Sequence, residues 1–363
     1  MFNTPFVLSF ALLLSCPLLF VFVPRFLPPK HVEISLPDEL DDLALFRRAN
    51  LAAVHRGGGG GVRGVGSVSH LGTISSRPKI AFLFLTNTDL HFAPLWEKFF
   101  AGNEGLYNIY VHADPSVEIT PPGGVFQGRF ISAKKTERSS PTLISAGRRL
   151  LAAAILDDSL NSYFALVSQH CIPLHSFAFV YTSLFAPQLA ESSSSSSSSP
   201  RLPMFRSFIE ILSDEPQLWD RYVARGEDVM LPEVPFERFR VGSQFFVLAR
   251  RHALMVIRDR RLWRKFRLPC FDKDTCYPEE HYFPTLLSME DPDGCTHYTL
   301  TRVNWTGSVG GHPHTYHPPE ISPELIHTLR QSNSTYSFLF ARKFSFDCLK
   351  PLLELADRVI FKD

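Results

Sequence analysis

The chain has 363 residues, 45% of them hydrophobic, and a formal net charge of +1. That length suffices for one large or two small globular domains. The balanced charge speaks against a general nucleic-acid binder, which carries a marked basic excess, so no nucleic-acid partner is expected.

In chain order, residues 6–23 form an apolar run without a charge, broken only by Ser9, Ser15 and Pro17. Its length is near the lower limit for a membrane-spanning helix. A cleaved signal peptide competes, but the preceding residues lack Lys and Arg, and no small-x-small cleavage site follows. We therefore expect a tail over residues 1–5 and a signal-anchor over residues 6–23. The nearby positive charges, Arg25 and Lys30, follow the run, which argues against an N-inside orientation. Short spans sort towards the thinner membranes of the early secretory pathway. Residues 24–77 read as a low-complexity stem: Gly57 to Gly61 is an uninterrupted glycine run, too poor in apolar side chains to bury a core. A short amphipathic helix over Asp38 to Asn50 is its one ordered candidate.

At Lys79 the pattern changes, and residues 78–363 read as the catalytic domain. Lys79 to Thr86, Tyr107 to Asp114 and Tyr163 to Ser168 are apolar runs of the buried-strand kind. Helices are predicted over His91 to Phe100 and Leu143 to Leu156, and a weaker strand over Phe126 to Ile131. This alternation implies a parallel sheet, whose ligands bind beyond the carboxyl ends of the strands. Asp114 and the Ser168 to Cys171 segment fall there. A serine-rich insertion over residues 190–201 reads as disordered. Later strands are predicted over Phe205 to Leu212, Gly242 to Ala249, His297 to Trp305 and Ser337 to Phe344, and helices over Gln217 to Val223, Arg251 to Trp263 and Pro323 to Arg330. The six cysteines contain no C-x-x-C pair, which disfavours structural zinc. With Cys16 in the apolar run, two disulfides and one free thiol are the simplest arithmetic for an oxidising compartment.

Chemistry is best placed in Tyr277 to Thr285, where Glu279 and Glu280 adjoin aromatics and prolines after a loop bracketed by Cys270 and Cys276. A carboxylate in apolar surroundings has a raised pKa, which suits proton abstraction near neutral pH. Taken on spacing alone, the same acids are helix-start residues that complement the helix dipole. No Gly-x-Ser-x-Gly elbow supports a serine hydrolase, and Cys171 reads as a core thiol.

Four segments together carry a resemblance: Ser168-Gln-His-Cys-Ile-Pro-Leu, Gly242-Ser-Gln-Phe-Phe, the run from Cys276 to Leu286, and Phe338 to Phe344. In consistent order from about Lys79 to Phe361, the chain resembles the plant branch of the core-2/I-branching β-1,6-N-acetylglucosaminyltransferases. The resemblance implies a single-pass type II Golgi membrane protein with a lumenal catalytic domain, overriding the charge bias noted above. It implies a Rossmann-like α/β fold of the glycosyltransferase A type, with a mostly parallel central sheet and flanking helices. It implies inverting transfer, without a metal cofactor, from a UDP-sugar to a glycan or glycoprotein acceptor. An N-acetylglucosamine-like donor is expected; glucuronic acid or xylose is the alternative, as is an inactive glycan-binding or scaffold protein.

By the same resemblance Glu280 is the base that deprotonates the acceptor hydroxyl. Glu279 beside it orients His281 or caps the helix. Lys343 matches the phosphate-binding lysine, with Arg342, Arg302 or His314 open as the second cation. Asp272-Lys273-Asp274 spells a metal motif, yet lies outside the nucleotide half of the sheet. Asp114 resembles the acid that contacts uridine; a turn-initiating Asp before Pro115 is the other reading. Trp305 and the Gly310-Gly311-His312 turn stand where an aromatic stacks on a sugar, or where it is simply buried. Phe245 occupies a position where plant relatives often carry Trp. Asn304 and Asn333 head N-glycosylation sequons, relevant to a lumenal domain.

Overall fold

The structure, a computed structural model, describes residues 40–57, 77–194, 205–308 and 311–363. No helix among them is long and apolar enough to cross a membrane, and the expected tail and anchor lie outside the described residues.

Strands β1 (Lys79–Thr86), β2 (Tyr107–Ala113) and β3 (Asn161–Ser168) are parallel, in the order β2-β1-β3. Their apolar runs are explained by burial on both faces. Ile80, Phe82 and Phe84 pack on one side with Trp96, Phe99 and Phe100 of helix α1 (Ala93–Phe100). Ala81, Leu83 and Leu85 pack on the other with Ile144, Leu150 and Leu151 of α2 (Pro141–Asp157). Tyr163 and Phe164 of β3 divide between the same two sides, so the side-chain period of two sorts each strand between two cores. Ser140 caps α2, accepting from Thr142 N at 3.3 Å, with Pro141 in the first turn where no donor is needed. A short antiparallel strand, β5 (Val247–Ala249), completes the sheet beside β3. A second sheet has the order β4 (Ile172–Pro173), β7 (Phe340–Arg342), β6 (Thr301–Val303). The molecule is thus a mixed α/β fold with parallel strands at its centre.

Several expectations are corrected. The coreless stem does not extend over residues 40–57: Leu40–Gly57 is a helix, α0, whose Phe46 and Ala49 are buried with α2. Asp42 grips Arg149 through two hydrogen bonds of 2.7 and 2.6 Å. The insertion expected to be disordered from residue 190 is helical in its first residues, as the helix Phe177–Ser194 runs on from the core into the first serines; the rest of it lies outside the described residues. Residues 126–131 make one turn and a single bridge from Phe130 to Val111, and 205–212 make isolated bridges through Ser207, Phe208 and Leu212. The expected strands over 242–249, 297–305 and 337–344 shorten to three residues each. Cys270 and Cys276 are bonded, while Cys171, Cys295 and Cys348 are free and buried. Two disulfides are therefore not made among the described residues.

Candidate active site

Helix α3 (Pro278–Glu290) carries Glu279 and Glu280 in its first turn. Pro278 opens it, and Tyr277 before it takes the left-handed conformation at φ 36°, turning the disulfide loop abruptly into the helix. The helix is held from behind. Phe283 packs against Gly147 of α2, where an added Cβ would come within 3.2 Å of its ring. Tyr282 donates to Asp259 Oδ2 at 3.0 Å. His281 is buried and its pKa is pushed down to about 3. It stays neutral, and Nδ1 donates to Arg240 O at 2.8 Å. His281 is therefore oriented by a backbone carbonyl and not by Glu279.

The start of this helix faces a cavity of about 620 Å³. Glu279, Glu280, Trp305, Arg342 and Lys343, proposed from sequence at distant positions, all line it. Glu280 Oε2 meets Arg221 Nη1 at 3.0 Å. Burial raises the Glu280 pKa above the usual carboxylate range, and Arg221 pulls against that rise. Glu279 is more deeply buried, and burial and the neighbouring Glu280 push it up to about 7. Its Oε1 accepts from Ser139 N at 3.2 Å, tying the helix to the loop before α2. The Glu280 carbonyl accepts from Gly242 N at 2.9 Å. Gly242 is compelled here: a Cβ would lie 2.0 Å from Glu210 O. Glu210 also lines the cavity, its pKa raised by burial.

The cations come from other elements. The guanidinium of Arg342 lies over the Phe245 ring at 4.2 Å, so Phe245 serves as its platform. Arg302 lies over Phe338 at 5.0 Å. Lys343 has its pKa lowered to about 8 by burial, then by Arg342 and Arg138. His314 is paired with Glu320 at 2.7 Å and is not among the residues lining the cavity. Trp305 is 54% exposed, so the buried-aromatic reading does not hold.

Asp114 lies outside this lining. Its Oδ1 accepts from Ser116 N and Oγ, and its Oδ2 from Thr136 N and Oγ1, all at 2.6–2.8 Å. Burial works to raise its pKa, but these bonds outweigh it and bring the value to about 2. This is the turn-holding arrangement. Asp272 likewise spends its carboxylate on Asp274 N and Thr275 Oγ1, away from the cavity. Asn304 is half-buried and accepts from Thr306 N at 2.9 Å, whereas Asn333 is exposed.

Arg138, Glu210 and Arg221 escaped the sequence reading. Arg221 and Glu280 are 59 positions apart, and neither a motif nor a period marks the pair. The basic run Lys134-Lys135 ahead of Arg138 was the one available signal.

Chemically, the cavity offers several carboxyl groups, of which Glu280 is the one held by an arginine, and several positive charges suited to an anionic leaving group. A family model described as Core-2/I-Branching enzyme matches residues 80–330. Glycosyltransferase BC10 of Oryza sativa subsp. japonica is 29% identical over 329 residues, covering 77% of this chain and 76% of that protein. With the family model spanning most of the domain that holds the cavity, the chain belongs to the core-2/I-branching family and is a glycosyltransferase.

Proposed function

We propose that the protein is an inverting transferase of the glycosyltransferase A type, which moves a sugar from a UDP-sugar to a glycan hydroxyl without a metal cofactor. Glu280 removes the proton from the acceptor hydroxyl. The acceptor oxygen bonds to the anomeric carbon from the face opposite the leaving group. The bond from that carbon to the diphosphate breaks, and its electron pair leaves with the diphosphate. Lys343 and Arg342 offset the negative charge that develops there, which is the charge a metal ion otherwise meets. The observation that carries this reading is that Glu280, Arg342 and Lys343 line one cavity. Neither Asp-x-Asp spelling in the chain, Asp272-x-Asp274 or Asp291-x-Asp293, is part of that lining. Trp305 offers an exposed face for an acceptor sugar.

We further place the protein in the Golgi membrane as a single-pass type II protein, anchored by residues 6–23, with Asn333 as the accessible glycosylation site. The donor is N-acetylglucosamine-like; glucuronic acid and xylose are the competing donors. The test is a panel of UDP-sugars offered to the purified protein with a chelator present. Release of UDP from one donor supports the reading. No release from any donor, or release only after manganese is restored, overturns it.

A further inference from the structure

The cavity holds one more positive charge than the transfer described above uses. Arg221 is paired with Glu280 at 3.0 Å, and Lys343 and Arg342 are assigned to the leaving group. Arg138 contacts the His312 ring and donates to the Gly311 carbonyl at 3.3 Å. Arg302 also lines the cavity, yet among the described residues it is in no ion pair and no hydrogen bond.

Arg302 stands apart from the other cations. Where β6 pairs with β7, Arg302 is opposite Ala341 and Val303 is opposite Arg342, so the two arginines leave opposite faces of the sheet. Burial, then Arg342 and Arg138, lower the pKa of Lys343, and burial, then Arg138, Lys343 and Arg342, lower that of His312. Arg302 contributes to neither. It is nevertheless held in place. Its guanidinium lies over the Phe338 ring at 5.0 Å, and Phe338 packs on Tyr298 with ring centres 5.2 Å apart. The Tyr298 hydroxyl is fixed in turn by Ser332 Oγ at 2.6 Å. Three positions along the chain, the exposed Trp305 lines the same cavity. A planar fork of donors laid on one aromatic ring, close in sequence to an exposed indole, matches a sugar that carries an acidic group: the indole takes the ring face and the fork takes the oxygens.

We propose that Arg302 and Trp305 form an acceptor subsite for an acidic sugar, whose carboxylate or sulfate ester pairs with the Arg302 guanidinium. This rests on the transferase reading above, in which Trp305 faces the acceptor. The test is titration of the full chain, with UDP and chelator present, with three disaccharides: glucosyl-galactose, glucuronosyl-galactose and 6-O-sulfated glucosyl-galactose. Wild type should bind a charged disaccharide roughly tenfold or more tightly than the neutral one, the worth of one charge-assisted pair. Whichever charged disaccharide binds better identifies the acidic group. Arg302→Gln should bring the ratio to about one, and Arg302→Lys should restore part of it, as a point charge without the fork. A wild type that binds neither charged disaccharide more tightly than the neutral one overturns the proposal. A preference that survives in Arg302→Gln also overturns it. So does equal loss of charged and neutral ligands, since Arg302 would then support the shape of the site alone. A wild type that binds no UDP overturns the reading of the preceding section instead, and the same titration without UDP still decides whether Arg302 takes the acid.

Discussion

Replacing Arg221 with Met should move the acidic limb of the pH–rate profile upward. Arg221 Nη1 and Glu280 Oε2 are 3.0 Å apart, with the two side chains 14% and 33% exposed. At that distance and an effective dielectric of about 20, Coulomb attraction amounts to about 5 kcal/mol. Water reaches one side of the pair, so the realised effect falls near the usual range for an adjacent opposite charge. We take about 1–2 pKa units, or about 1.4–2.7 kcal/mol. The Glu280 pKa is already raised by burial, with Arg221 the leading opposing influence. Removing Arg221 raises it further. The base works ionised, so activity is present above its pKa and lost as pH falls through it. In Arg221→Met the acidic limb of kcat/KM should therefore shift up by about 1–2 units, with the rate recovering on the alkaline side. Met keeps an unbranched apolar side chain but removes the guanidinium that lies over Tyr277. The measurement is kcat/KM against pH for both proteins with one donor. A limb that stays in place, with the rate lowered equally at every pH, would refute the reasoning: Arg221 would then not act through the charge on Glu280.

Two further outcomes bear on the same turn of helix. Glu279 has its pKa raised from 4.5 to about 7 by burial, so the folded state favours its protonated form. Stability from this group is full below the unfolded pKa and is lost as pH rises through about 7. Glu279→Gln keeps an acceptor for Ser139 N, and its stability gain over wild type should grow to at most about 3 kcal/mol between pH of about 5 and about 8 in denaturant unfolding. A gain that is absent or independent of pH would show that Glu279 is not carried as a buried charge. Gly242→Ala places a Cβ 2.0 Å from Glu210 O, next to the hydrogen bond on the Glu280 carbonyl. It should cost about 1–3 kcal/mol and lower turnover, whereas Gly105→Ala, with open space around it, should do neither. Equal behaviour of the two variants in melting and turnover would contradict the close approach.

The parts of this molecule that were legible in its sequence share a physical trait: the information is local. β1 and β3 are buried on both faces and so show uninterrupted apolar runs. The helix Pro323–Arg330 is bounded by a Ser322 cap and an apolar period, and it was located to the residue. Glu280 and Lys343 were found because each lies in a distinctive short run, and the fold brings both to one cavity. The illegible parts depend on tertiary distance. Arg221 gains its meaning only from Glu280, and Arg138 only from a histidine 174 positions away. The helix expected over Asp38 to Asn50 is present as Leu40–Gly57, but its docking on the domain was not legible, because it rests on Phe46, Ala49 and ion pairs of Asp41 and Asp42 with Lys134 and Arg149. Asp114 has the position of a ligand contact, but its oxygens are taken by Ser116 and Thr136, which local sequence does not disclose.

The account stands most directly on the carboxylate of residue 280. Turnover and UDP affinity should be measured side by side for wild type and Glu280→Gln, which keeps the shape of the side chain and removes the base. The expected result is a fall in kcat of about 10²–10⁴-fold with UDP affinity essentially unchanged. A variant that turns over like wild type would contradict the assignment of Glu280 as the base.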